Sequence, residues 1–257
     1  MAKNVAGNPE QAFELAKQAA ISAGARILEV RRDLIIEKAG RDIKHRADLE
    51  SERIILNLLE KSSPYPILTE ESGEIGKLDL TSYFWIIDPL DGTLNFTRGI
   101  DFSCVSLSLW HGNEPLLGVI NDFNRGEMFS GINGRGAWCN HRAISVSREQ
   151  NVQQAVLATG FPVNRDFSSA AIGSFIQHIR GFKKIRLLGS AALSLAYVAC
   201  GRVDAYTEED IMFWDVAAGI ALVRAASGFV SFQNSKSKPW AKDVWAGEVL
   251  RDKGEEL

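Results

Sequence analysis

From Tyr83 to Ile87 five consecutive positions are apolar or aromatic, and the carboxylates Asp88 and Asp91 follow at once. A short apolar run that ends in turn residues predicts a buried strand. Upstream the period is helical. Phe13, Ala16, Ala20, Gly24 and Ile27 recur on one face, and Asn8-Pro9-Glu10-Gln11 marks the start, with Asn8 as cap, Pro9 in the first turn and Gln11 in the capping-box position. Residues 37–44 predict an exposed loop turning at Ala39-Gly40. Residues 47–60 predict a second helix with Leu49, Ile54, Ile55, Leu58 and Leu59 facing inwards, broken by Pro64 and Pro66. "ILT" at 67–69 reads as a short strand. The period then becomes two: 103–110, "EPLLGVIND" and "RGEMFSGI" predict antiparallel strands, with turn chemistry around Asn133-Gly134. The second half alternates, with strands at 155–161, 184–189, 202–208 and "FVSF" between helices at 166–180, 190–200 and 214–228, the last stopped by Gly228.

Composition narrows the class. At 257 residues, 46% hydrophobic, the chain can bury a core without disulfides or metal staples, and it reads as one continuous body with no repeat or linker. A net charge of −3 gives no electrostatic reason to expect a nucleic acid or an acidic membrane as partner. Cys104, Cys139 and Cys200 are an odd, widely spaced set, which predicts free thiols in the cytoplasm. No signal segment is read at the start, and the apolar run around Ala191–Cys200 is too short to span a bilayer.

The acids carry the chemistry. Glu70 and Glu71 follow the strand "ILT", Asp88 ends the next strand, Asp91 follows a turn, and Asp215 opens a helix. Singly, Glu71, Glu74, Asp42 and Asp215 fit a solvated turn or helix cap. Jointly, three separate segments each deliver a carboxylate at an element end, and a charge set after five apolar residues needs a partner. An all-oxygen donor set suits magnesium. Gly92-Thr93 adds a place where backbone N–H groups can meet a phosphate at the start of a short helix, Thr93–Thr97. Carboxylates for a divalent cation beside an anion cradle describe phosphoryl chemistry, in which two ions about 3.5–4 Å apart assist an in-line displacement by water.

Five stretches, "LTEESGE" (68–74), "WIIDPLDGTLNF" (85–96), "GRGAWCN" (134–140), "LGSAALSLAYVACGRVDAY" (188–206) and "WDVAAGIALVRAASG" (214–228), resemble the inositol monophosphatase family over nearly the whole chain. The resemblance implies an α/β fold layered as an αβαβα sandwich. Residues 1–257 would form a single phosphatase domain, 1–150 holding a mostly antiparallel sheet and 151–257 the substrate loop and Asp215. It implies hydrolysis of phosphate monoesters, inositol 1-phosphate foremost, with two to three Mg2+ ions, lithium sensitivity and a homodimer. Carried over by residue, Glu70, Asp88 and the Leu90 carbonyl would hold one ion, Asp88, Asp91 and Asp215 a second, and Glu70 would face a third. Gly92 and Thr93 would bind phosphate, with Asp91 and Asp215 also at the substrate. Thr93, backed by Asp48, would orient the attacking water. Glu208 would bond the polyol, and Ala192 would line the substrate.

Three places depart from the family pattern. His45 stands where a threonine is usual, the lysine before that loop has no unambiguous match (Glu37 and Lys38 lie nearby), and Asp210 stands where a glycine is usual. Glu208, Glu209 and Asp210 would then form an acidic end that repels a second phosphate, or a solvated turn. A bisphosphatase is the alternative, and it would need Lys183, Lys184 or Arg186 to turn inwards. A regulatory binding protein on the same fold is the third reading.

Overall fold

The computed structural model describes residues 8–37, 42–161 and 168–250. Two long helices come first, α1 (Pro9–Glu37) and α2 (Asp42–Ser62). The Asn8 side chain accepts from the Glu10 and Gln11 N–H groups, as its place before Pro9 predicts. α2 corrects the expected boundary, because it starts at Asp42 and not at Ala47. "DIKHRA" has no apolar stripe, but its residues are adequate helix formers and extend a helix already anchored downstream. The turn at Ala39-Gly40, Lys38, and the side chains of Glu37 and His45 lie outside the described residues.

Eight strands form the first sheet, in the order β2-β1-β3-β4-β5-β6-β7-β8. They are β1 (Ile67–Thr69), β2 (Gly73–Ile75), β3 (Tyr83–Asp91), β4 (Cys104–His111), β5 (Glu114–Asp122), β6 (Glu127–Ile132), β7 (Gly136–Cys139) and β8 (Arg142–Ile144). Every pairing is antiparallel except β1 with β3. Helix α3 (Thr93–Arg98) leaves the end of β3.

The second sheet has the order β10-β9-β11-β13-β12, from β9 (Val156–Thr159), β10 (Lys184–Leu187), β11 (Ala205–Met212), β12 (Val230–Asn234) and β13 (Ala241–Ala246). Helices α4 (Ser169–Ile179), α5 (Ala191–Ala199) and α6 (Phe213–Ala225) intervene. The start of the helix expected from 166 lies outside the described residues. β13 was not foreseen, because "AKDVWA" offers no clean alternation, yet it pairs with both β11 and β12.

The layers follow from three apolar clusters. One joins α1 and α2 to the first sheet through Ala16, Ile27, Ile55, Trp85 and Val119. The largest packs α5 and α6 between the sheets through Phe84, Ile120, Leu195, Ile220 and Val244. A third covers the outer face of the second sheet with Leu157, Phe182 and Trp245. The result is the αβαβα order expected. α6 lies close on the first sheet because Gly118 has no side chain: a Cβ there would stand 2.3 Å from the Ala218 carbonyl oxygen.

Candidate active site

Parallel pairing sets two acids side by side. β1 and β3 align Thr69 with Ile87, and the Glu70 N–H donates to the Ile87 carbonyl at 3.3 Å. The next residues, Glu70 and Asp88, therefore leave the sheet together. α6 delivers Asp215 in its first turn. Carboxylate oxygens of Glu70, Asp88 and Asp215 lie within 4.8 Å of one another. Burial drives the Asp88 carboxyl well above the usual carboxylate range, and Glu70, Asp91 and Asp215 add to the effect. Asp215 rises for the same reasons, burial first and then Asp91, Glu70 and Glu208. By contrast, the buried Asp122 is balanced by Arg125 at 3.0 Å. Neither Asp88 nor Asp215 forms an ion pair with a lysine or arginine among the described residues. A buried carboxylate with like charges beside it is unstable unless protonated or met by a cation. Glu70, Asp88 and Asp215 could hold a metal ion.

The turn after Asp88 is locked by its own chain. The β3–β4 register slips between Asp88 and Asp91. Within the slip the Leu90 N–H donates to Asp88 Oδ1 at 2.9 Å, the Ser51 hydroxyl to the Pro89 carbonyl at 2.7 Å, and the Thr93 hydroxyl to the Leu90 carbonyl at 2.9 Å. Gly92 has φ 79°, and a Cβ on it would stand 2.6 Å from the Phe102 carbonyl oxygen. Glycine is needed here for the backbone as well as for any approaching phosphate.

Asp91 Oδ2 accepts from the Ser190 hydroxyl at 2.5 Å and the Ala192 N–H at 2.8 Å, with the Cys104 thiol at 3.9 Å. Burial lifts its pKa to about 6 against these hydrogen bonds. Ala192 is thus a correction. It is fully buried in the core, and its N–H turns to Asp91; Gly189, Ser190 and Ala191 border the cavity in its place.

α2 supplies Ser51 and Glu52, which sequence reasoning missed, next to the expected Asp48. Its inward face carries Asp48, Ser51 and Glu52 beside Ala47, Ile55 and Leu59, while Leu49, expected inside, is 42% exposed. Glu52 accepts from the Thr69 hydroxyl at 2.7 Å and from the Ser72 N–H and hydroxyl at 3.0 and 2.6 Å. These bonds brace the segment that carries Glu70. Asp48 is 2% exposed on the same face.

A cavity of about 290 Å³ opens beside the acids, bordered by Asp91 and Asp215 on one side and by Tyr206, Glu208, Asp210 and Lys238 on the other. That is close to the lower end of small-molecule sites, roughly 300 Å³. The Tyr206 hydroxyl donates to Glu208 Oε2 at 2.9 Å. The expected trio of acids is split. Glu209 alternates to the other face of β11 and borders a separate small cavity with Phe175 and His178. Asp210 sits in a bulge between Glu208 and Ile211 with φ 62°, a conformation that costs a residue with a Cβ roughly 1 kcal/mol. Its N–H donates to Asp243 Oδ1 at 3.0 Å, and its carboxylate accepts from the Ser235 hydroxyl at 2.9 Å and from Ser237. Lys183 and Arg186 bond to Gln154 and the Ile185 carbonyl at the surface, Lys184 is exposed, and none of the three borders the cavity.

Comparison with known proteins agrees with this geometry. The model of the Inositol monophosphatase family matches residues 8–253. A protein of Xylella fastidiosa named "Nus factor SuhB" is 42% identical over 198 residues, which is 76% of this chain and 71% of that protein. An "Inositol-1-monophosphatase" of Synechocystis sp. is 37% identical over 250 residues, 94% of this chain and 84% of that one. The solved inositol monophosphatase of Anabaena (Nostoc) sp. superposes with a TM-score of 0.83 at 34% identity, covering 97% of this chain and 95% of its own. The chain belongs to the inositol monophosphatase family.

Proposed function

We propose that this family member hydrolyses the phosphate monoester of a small polyol, with inositol 1-phosphate as reference substrate and magnesium as cofactor. The observation that carries the reading is the convergence of half-buried Glu70 and Asp215 on the buried Asp88, with no lysine or arginine paired to the two aspartates among the described residues, beside a cavity of substrate size. The donors are all oxygen, which fits magnesium and disfavours softer metals. Glu70, Asp88 and the Leu90 carbonyl would hold one ion, Asp88, Asp91 and Asp215 a second, and Glu70 would face a third. When bound, the ions supply positive charge to the phosphate and lower the pKa of water.

The chain's own groups do the rest. The backbone N–H groups of Gly92 and Thr93 donate to phosphate oxygens at the start of α3. The Thr93 proton is committed to the Leu90 carbonyl, so its oxygen remains free to accept from the attacking water. Asp48 backs it from α2. The water oxygen attacks phosphorus and gives up one proton, the bond to the alcohol oxygen breaks, and that oxygen leaves carrying a proton, so that the water's two hydrogens end one on the phosphate and one on the alcohol. Glu208, fixed by Tyr206, accepts from polyol hydroxyls. The same reading carries one phosphatase domain over 1–257, a cytoplasmic homodimer, and inhibition by lithium. The test is phosphate release from inositol 1-phosphate, sugar monophosphates and bisphosphates with and without magnesium. Magnesium-dependent release from the monoesters is expected, and a folded protein inert on the whole panel would overturn the reading. That second outcome would favour a regulatory role, for which the 42% identity to a protein named a Nus factor is the supporting observation.

A further inference from the structure

Lys238 is the one cationic side chain among the described residues that borders the candidate active-site cavity. It is half-buried. Its ammonium makes no hydrogen bond or ion pair among the described residues. It also stands on the wall of a second cavity of about 360 Å³, beside Lys242 and Trp240. Lys242 is already committed there: its ammonium donates to Asn234 at 2.5 Å and lies 4.4 Å from the centre of the Phe213 ring.

The loop that carries Lys238 is fastened in place. The Ser235 N–H donates to the Ala241 carbonyl, and the Ala241 N–H to the Lys238 carbonyl, closing the β12–β13 connection. Ser235 and Ser237 bind the Asp210 carboxylate, which turns that acid towards the loop and ties the loop to the β11 bulge. Asp210 and Trp240, with φ 62° and 64°, hold left-handed conformations on either side of the tie. Local backbone strain of this kind often marks a place where geometry serves a site.

We propose that Lys238 forms a second anion subsite at the alcohol end of the cavity, so that the site takes phosphate monoesters whose alcohol portion carries a carboxylate or a second phosphate. This rests on the phosphatase reading above. The ammonium would meet the extra anion, and Asp210 would act as a positioning residue through the two serines.

The test compares matched substrates on the whole protein with magnesium at fixed ionic strength: 2-phosphoglycerate against glycerol 2-phosphate, and fructose 1,6-bisphosphate against fructose 1-phosphate. The kcat/KM ratio of the acid-bearing to the neutral partner is expected to fall about tenfold in Lys238→Met, and further in Lys238→Glu, mainly through KM. In the wild type the ratio falls as salt is raised, because a half-exposed charge pair is screened. Ser235→Ala/Ser237→Ala moves it in the same direction by loosening the loop. A fall confined to the first pair assigns the subsite to a carboxylate, and one confined to the second pair to a phosphate. Ratios unchanged in both Lys238 variants would overturn the subsite while hydrolysis of the neutral esters left the phosphatase reading standing. A wild type inert on all four substrates and on inositol 1-phosphate would overturn both.

Discussion

On the first-sheet side of the cavity each acid is held before a substrate arrives, while the second-sheet side hangs on one fastened loop. Asp88 and Asp91 bracket a turn whose carbonyls are taken by Ser51 and Thr93, and Glu70 rides a segment braced by Glu52. Across the cavity Glu208 has its Tyr206 bond, but Asp210 and Lys238 depend on serine hydroxyls and a bulge. The first side is rigid and crowded with like charge; the second is strained and carries a cation. The proposed metal chemistry draws on the first side, and the proposed substrate choice on the second.

The strongest way to break this contrast is Asp88→Asn. If the first side carries the reaction, kcat falls by about a thousandfold or more, since the proposed ions share that carboxylate. The fold should survive, because the change is isosteric and relieves repulsion. Wild-type turnover in a folded variant would contradict the assignment.

Glu52→Ala probes the bracing. It leaves the Thr69 hydroxyl and the Ser72 N–H without their acceptor, so denaturant unfolding should show a loss of about 2–4 kcal/mol. kcat should drop while KM changes little. A stability loss below about 0.5 kcal/mol would show that α2 does not brace the Glu70 segment.

Proton and magnesium should compete on the first side. The Asp88, Asp91 and Asp215 carboxyls all have raised pKa values in the folded protein, Asp91 at about 6. A raised acid pKa means the folded state binds more protons than the unfolded one. Stability from these groups is therefore present at low pH and is lost as pH rises from about 4 through 6 and beyond. Without magnesium the melting temperature should fall across that range, and added magnesium should raise it more at pH 7.5 than at pH 5. Equal stabilisation at both pH values would argue that the cation binds elsewhere.

The smallest contrast lies within one strand. Glu208→Gln should lower kcat/KM for inositol 1-phosphate about tenfold. Glu209→Gln, on the other face of β11, should stay within about twofold. Equal effects would mean that the strand does not present its residues as described.

The two sides also differed in how far they could be read from sequence. Asp88, Asp91 and Gly92 stand out because a buried strand ends in charges, a local conflict that only a site explains. Glu70 needed the parallel β1–β3 register to reach Asp88, and the motif resemblance supplied what spacing could not. The α2 face was misread at Leu49 because the site claims the inward positions for Asp48, Ser51 and Glu52, so the apolar stripe is interrupted where function overrides it. Lys238 left no signal beyond the turn residues of "NSKSKP". Its place is set by β13 pairing with β11, a long-range contact that periodicity does not encode. The expectation for Ala192 rests on the family resemblance, which locates a substrate-lining stretch but not which residue of it faces the cavity; Ala191 borders it and Ala192 is buried.

Magnesium binding by calorimetry, on wild type and Asp88→Asn at pH 7.5, decides whether these acids hold the cation. At least two ions per chain are expected for the wild type in the presence of inorganic phosphate, with most of that binding lost in the variant. Undiminished binding by Asp88→Asn would contradict the claim that Asp88, with Glu70 and Asp215 beside it, is the metal centre.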